Sequence, residues 1–202
     1  MEIINYDYIK ANLDNPDFGK QDLSIPIQND KQDIISHFTK EQILFLLSKL
    51  PPNYHSVLFQ FLWRTGVRVS ECINIKKQNL DFINQEITIR WLKNRKALYR
   101  VIPMHSTLKN ILFIYSSKML HNDKLFPISR QMVDNLSKKY GFGHAHKIRH
   151  SFAINFLRQN HSPMALLELK ELLGHSNIQT TMIYLKINPV GIKKSFEKIS
   201  FD

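Results

Sequence analysis

The chain has 202 residues, 43% of them hydrophobic and 22% charged, enough apolar content for a real core and too much for disorder along its whole length. No apolar run approaches the roughly 18 residues of a membrane span, the acidic start from Met1 to Asp7 is unlike a secretion signal, and the single cysteine, Cys72, can neither close an internal disulfide nor join a set of zinc-binding cysteines. Twenty-eight Lys and Arg against seventeen Asp and Glu leave a net charge of +11, which points to a polyanionic partner, nucleic acid or an anionic membrane surface, and a reducing cytoplasm suits the cysteine usage.

That charge is unevenly spread. Residues 1–38 hold three lysines and seven acids, whereas residues 39–202 hold 25 bases and 10 acids. The first segment is rich in Asn, Asp and Gln, is broken by Pro16, Gly19 and Pro26, and reads as an acidic extension or linker with at most a short helix near residues 6–13. At Thr39 the texture changes. Thr39-Lys40-Glu41-Gln42 forms a capping box, apolar residues follow at helical spacing, and Pro51-Pro52 stops the helix. A second helix is predicted from about Tyr54 to Arg64, ended by Gly66, and a third over about Val69 to Ile75. The alternating β-branched stretch 86–92, a basic turn 93–96 and the stretch 99–103 read as a β-hairpin. Helical patterns return at about 107–120, 129–140, 149–160, 164–173 and 177–186, with Ser162-Pro163 as a helix start. A final amphipathic segment, 191–201, places Ile192, Phe196 and Ile199 on one face. The expected fold class is mainly α (α+β): helices around one small antiparallel sheet.

Four short motifs carry polar chemistry: Thr65-Gly66-Val67-Arg68-Val69-Ser70-Glu71, the hairpin Lys93-Asn94-Arg95-Lys96, His146-Lys147-Ile148-Arg149-His150, and Leu173-Gly174-His175 followed nine residues later by Tyr184. Each has an ordinary explanation by itself. Arg68 and Glu71 suit a helix-start ion pair. Lys93 and Lys96 suit a solvated turn that discourages edge pairing. His146 and His150 are spaced for a metal, but that segment has no Cys, Asp or Glu to complete a ligand set. His175 suits a helix C-terminus, and Tyr184 suits a core. Together they match what a phosphodiester needs in order to be opened. Cations must surround the non-bridging oxygens as charge builds, and arginine does this best because its fork is bidentate. A nucleophile must attack and an acid must protonate the leaving oxygen. The chain offers neither an acidic triad for Mg²⁺ nor a glycine-rich phosphate loop. Arg149 is expected to open its helix, where an anion is already favoured.

These motifs resemble those of the tyrosine recombinase (phage integrase) family, in the same order and spacing, across residues 39–188. Arg68 matches the family's first arginine, His146 and Arg149 its His-X-X-Arg, His175 its Leu-Gly-His, and Tyr184 its nucleophile. Lys93 is the best match for the hairpin lysine, with Lys96 as the alternative. The resemblance implies an integrase-like DNA breaking-rejoining fold and a site-specific recombinase that needs no metal, ATP or other cofactor. It implies that Tyr184 attacks a DNA phosphate and leaves a 3′-phosphotyrosyl link, with His146 as base or relay. Arg68, Arg149 and His175 would hold the developing charge, and Lys93 would protonate the 5′ oxygen. Its implied partners are double-stranded DNA carrying recombination sites and, in the synaptic complex, a homo-tetramer; no membrane is involved.

Two departures stand out. The acidic residues 1–38 are too few for the separate DNA-clamping domain of most members, so the chain resembles the short, catalytic-domain-only forms or a piece of a longer protein. The segment 189–202 is expected to form a tail helix that docks on a neighbouring protomer or folds back in cis. Two other functions fit parts of the pattern: a type IB topoisomerase-like enzyme, which would relax plasmids rather than recombine two sites, and a DNA-binding regulator without catalysis, which would form no covalent adduct.

Overall fold

A computed structural model describes residues 35–93, 96–160 and 162–185; the expected helix near residues 6–13, the tip of the hairpin and the tail 189–202 lie outside that range. The expected fold class holds: eight helices and a short 3₁₀ turn surround one three-stranded antiparallel sheet among the described residues.

Helix α1, Lys40–Ser48, starts at the expected capping box. Thr39 Oγ1 accepts from the Gln42 N–H at 3.3 Å, and Gln42 Oε1 accepts from the Thr39 N–H at 3.0 Å. Just ahead of it, the Phe38 N–H donates to Ser151 Oγ at 2.8 Å, and Lys147 Nζ lies 3.8 Å from the centre of the Phe38 ring. Helix α2, Tyr54–Thr65, is capped by Asn53 at one end and closed by Gly66 in the left-handed conformation at the other. Helix α3 is a single turn, Val69–Cys72, shorter than expected because the chain enters a 3₁₀ turn at Lys77–Asn79 and then strand β1, Leu80–Asp81, which the sequence pattern did not announce. Cys72, the last residue of α3, is fully buried.

Strands β2, Glu86–Lys93, and β3, Lys96–Pro103, pair in register from Glu86 with Pro103 to Lys93 with Lys96. Alternation puts Ile87, Ile89 and Ile102 into the core and leaves Tyr99 and Val101 exposed. It also turns Arg100 inward, beside Ile102. Helices α4 (Ser106–Ser116), α5 (Arg130–Lys139), α6 (His146–Gln159), α7 (Ala165–Leu173) and α8 (Gln179–Met182) complete the body. The helix expected over about 177–186 is a single turn, Gln179–Met182, and two other helices start away from expectation. Helix α6 begins at His146, so Arg149 sits inside its first turns rather than opening it. Helix α7 begins two residues after Pro163, with Ser162 Oγ still accepting from the Met164 N–H.

The buried side chains fall into two apolar clusters. The larger runs from α1 to the start of α6 and includes the stacked rings of Phe59 and Phe142, whose centres are 4.6 Å apart. The smaller joins α6, α7 and the residues after α8, through Ile154, Leu169, Leu173 and Tyr184. Phe152 packs against both.

Candidate active site

Arg68 and Arg149, 81 positions apart in the chain, meet at one main-chain oxygen. Arg149 Nη2 donates to the Leu173 carbonyl at 2.8 Å, and Arg68 Nη1 lies 3.5 Å from the same atom. Arg149 Nη1 donates to the Gly66 carbonyl at 2.7 Å, and Nη2 also donates to His175 Nε2 at 3.0 Å. The two carbonyls are at helix C-termini, where oxygens lack intrahelical partners and carry the negative end of the dipole. Both helices end on a left-handed glycine, Gly66 with φ 62° and Gly174 with φ 64°. A Cβ at 66 would stand 2.2 Å from the Phe152 ring, and one at 174 would stand 2.6 Å from Arg100 Nη1. Space and backbone both require glycine there.

The Arg149 side chain is 97% buried. Burial, with the like charge of Arg68 beside it, lowers its pKa to about 10, so it stays charged at neutral pH. His175 is held between Arg149 and Thr181, with Nδ1 2.9 Å from Thr181 Oγ1. Because Nε2 faces a guanidinium donor, the ring proton is assigned to Nδ1, which donates to Thr181. Burial and the neighbouring arginines push the His175 pKa down to about 4. Without a bound anion its Nε2 therefore presents a lone pair rather than a proton.

A second layer sets Arg68: the expected ion pair with Glu71 and, absent from the expected residue set, Arg100. The Arg68 N–H donates to Glu71 Oε2 at 2.8 Å and its Nη1 to Oε1 at 3.1 Å. Glu71 is buried and grips Arg100 through two further bonds, at 2.9 and 2.8 Å. Arg100 Nε donates to the Leu172 carbonyl at 3.0 Å. Burial raises the Glu71 pKa, but the two arginines outweigh it and hold the carboxyl below its ordinary value. Arg100 thus ties β3 to α3 and to the turn that presents His175. The available signal was its parity: a charged residue on the inward face of a strand requires a buried partner.

Tyr184 is buried, and its hydroxyl lies 3.0 Å from His150 Nδ1. Burial raises the phenol pKa, against the pull of the Arg149 and Arg68 charges. His146, the expected base, is exposed one turn earlier on α6, with its ring edge-on to His150 at 4.6 Å between centres. Among the described contacts its side chain makes no hydrogen bond to the phenol. In the sequence His150 stands as the second half of a histidine pair and in the usual flanking place after the family's His-X-X-Arg, with no role of its own. Lys93 and Lys96 face each other across the last described pair of the hairpin, and their side chains lie outside the described residues. The structure therefore brings Arg68, Arg149 and His175 together, sets Tyr184 against the same helix as Arg149, and leaves the lysines unplaced. Among the described residues, no three His, Cys, Asp or Glu side chains gather as metal ligands would.

In front of Arg68 opens a groove of about 930 Å³, walled by Lys76, Arg90, Lys124, Trp91 and Tyr99. Glu71 is the sole carboxylate among its lining residues, and Arg100 neutralises it. A cationic groove with aromatic walls suits a nucleic-acid backbone.

Known proteins give the same picture. The phage integrase family profile matches residues 35–189. Tyrosine recombinase XerA of Thermococcus onnurineus is 33% identical over 180 residues, which cover 79% of this chain and 61% of that protein. Tyrosine recombinase XerC of Staphylococcus aureus is 27% identical over 158 residues, covering 69% and 51%. The chain thus spans about 60% of the length of the XerA relatives it matches. Among solved structures, a XerA recombinase superimposes with a TM-score of 0.63 at 24% identity, over 82% of this chain and 66% of that one. The catalytic domain of bacteriophage HP1 integrase gives 0.61 at 21%, over 81% and 95%. XerH recombinase bound to a palindromic difH substrate, a post-cleavage complex, gives 0.58 at 21%, over 85% and 55%. With its paired arginines, glycine-closed helices and C-terminal tyrosine placed as described, and its sequence matching the profile over most of its length, the chain belongs to the phage integrase family.

Proposed function

We propose that this chain is the catalytic part of a site-specific DNA recombinase that cuts and rejoins strands through a 3′-phosphotyrosyl intermediate. The observation that carries the reading is the meeting of Arg68 and Arg149 at the Leu173 carbonyl with His175 in contact. A carbonyl oxygen held between two guanidinium groups marks where a phosphate oxygen, a stronger acceptor, would be received.

In this reading Tyr184 Oη attacks the phosphorus, the Oη–P bond forms, and the bond to the 5′ oxygen breaks. Arg68 and Arg149 hold the charge that gathers on the non-bridging oxygens. The arriving anion raises the His175 pKa, and His175 joins them as a donor. Lys93, or Lys96 in its place, gives a proton to the leaving 5′ oxygen. His146, expected as base or relay, stands beside His150 on α6 and serves as the relay. The ester conserves the energy of the broken bond, so a partner strand's 5′ hydroxyl can reverse the step. The buried Tyr184 must move or admit the phosphate beside it, which suits a nucleophile released on assembly.

The catalytic domain is assigned to residues 39–188, between an acidic segment 1–38 and a tail 189–202; the working assembly is a tetramer on two DNA sites, with the tail either docked on a neighbouring protomer or folded back in cis. XerH and the Tn1549 transposon integrase, both bound to DNA in their solved structures, share the fold and support DNA as the partner. The groove cations predict binding that weakens steeply with salt.

The test begins with duplexes enriched from a random-sequence library by retention on the immobilised protein. A nick placed in the best-bound duplex lets the cut end escape and traps the cleaved state. The wild-type chain should form a covalent adduct that resists denaturation. Tyr184→Phe should retain the duplex and form none. An adduct with the Phe variant, or none with wild type, overturns the reading.

A further inference from the structure

We propose that His150 is a catalytic residue, the direct proton acceptor for the Tyr184 hydroxyl as that oxygen attacks phosphorus. This rests on the strand-cleavage reading and assigns the base within it. The phenol is buried, so no bulk water stands ready to take its proton, and its hydrogen-bond partner is His150 Nδ1 at 3.0 Å. That contact meets the geometric requirement for a general base. The expected base, His146, lies one helical turn away with its ring against His150 rather than against the phenol.

The surroundings of His150 keep it ready to accept. His146 and Arg149 face it from its own helix, His37 from the segment before α1, and Tyr184 from beyond α8. Three of these four are cations or become so on protonation. With burial they hold His150 neutral, its pKa lowered to about 4. The free lone pair on Nδ1 requires the ring proton on Nε2. Adjacent positions on α6 then divide the work: Arg149 receives the phosphate oxygen and His150 receives the proton. As the Oη–P bond forms, the proton passes from Oη to Nδ1, while the departing 5′ oxygen takes its own from the hairpin lysine. Rejoining runs the same transfers backwards, with the His150 imidazolium returning the proton to the tyrosine oxygen as it leaves.

The test uses the full chain and the nicked, library-selected duplex. His150→Asn keeps an oxygen able to accept the phenol's hydrogen bond but unable to carry its proton away. At neutral pH this variant should form adduct about 100-fold more slowly or worse. The deficit should shrink as pH rises and phenolate forms unaided, and shrink again when residue 184 is replaced by a difluorotyrosine, a stronger acid. A purely structural role would move neither the pH profile nor the response to phenol acidity. Thermal unfolding and duplex retention check that the variant is folded, and His150→Gln carries the same comparison if the Asn protein is not. Adduct formation as fast as wild type or faster shows that the contact only parks the phenol and overturns the proposal. So does a deficit that stays constant across pH and phenol acidity. If wild type also fails to form adduct, the strand-cleavage reading falls, and the assignment of His150 with it.

Discussion

The two apolar clusters of this molecule support different halves of the proposed chemistry. The larger holds Arg68 rigid: α2, α3 and the sheet close over stacked aromatic rings, and Glu71 and Arg100 lock the arginine from below. The smaller seats Tyr184 among a few aliphatic side chains of α6 and α7. Arg149 and Phe152 stand at the seam. Arg149 bonds Gly66 on one side and Leu173 on the other, while Phe152 fills the space over Gly66. The difference teaches where motion is affordable. A charge cage must be preorganised to act, whereas a nucleophile on a thinly packed element can be released at small cost.

The strongest way to break this division is to remove the seam. Arg149→Ala should cut single-turnover adduct formation on the order of 1,000-fold, since it deletes one of the two cations proposed to hold the phosphate. It should also lower stability in a urea melt by about 1–3 kcal/mol for each carbonyl left without a donor. Cleavage close to wild type would show that the cage lies elsewhere.

Next come the clusters themselves. Phe59→Ala should cost about 3–5 kcal/mol of global stability, and Leu169→Ala about 2–5. Hydrogen exchange sharpens the contrast. Leu169→Ala should speed exchange in α7 and α8 while α2 keeps its protection; uniform acceleration would mean that the two clusters open as one unit.

The smallest expected effect is a pH dependence of stability. His150 and His175 are held at about 4 in the folded chain and return toward about 6.5 when unfolded. Between those values the unfolded chain binds more protons, so stability falls as pH drops from about 6.5 and levels off near 4. Glu71 acts in the same direction further down, because its lowered pKa adds stability that is lost on acidification through the folded value. The thermal midpoint should therefore be lower at about pH 5 than at about pH 7, and His175→Asn should flatten part of that slope.

Much of this was legible in the residues. Thr39 and Gln42 announced α1, Gly66 ended α2, and alternation at 86–92 announced the hairpin. The four motifs led to Arg68, Arg149, His175 and Tyr184 because their spacing and type match phosphate chemistry. What escaped notice depends on contacts made across the fold. Strand β1 is two residues long, too short for any period to show. Arg100 meets Glu71 across 29 positions of chain, a partnership that no local pattern encodes. The start of α6 at His146 depends on the turn before it, where His144 Nδ1 accepts from the His146 N–H. The contact between His150 and Tyr184 spans 34 positions and exists because the residues after α8 pack into the cluster against α6.

The burial of Cys72 has a practical consequence. It is the chain's single thiol, fully enclosed, with its ionisation pushed well up by desolvation, and it lies in the one helical turn that Arg68 caps. An alkylating reagent can reach it only when that turn lifts away from the body. The labelling rate of the native chain therefore clocks how often the arginine's own footing comes loose, with no engineered probe needed.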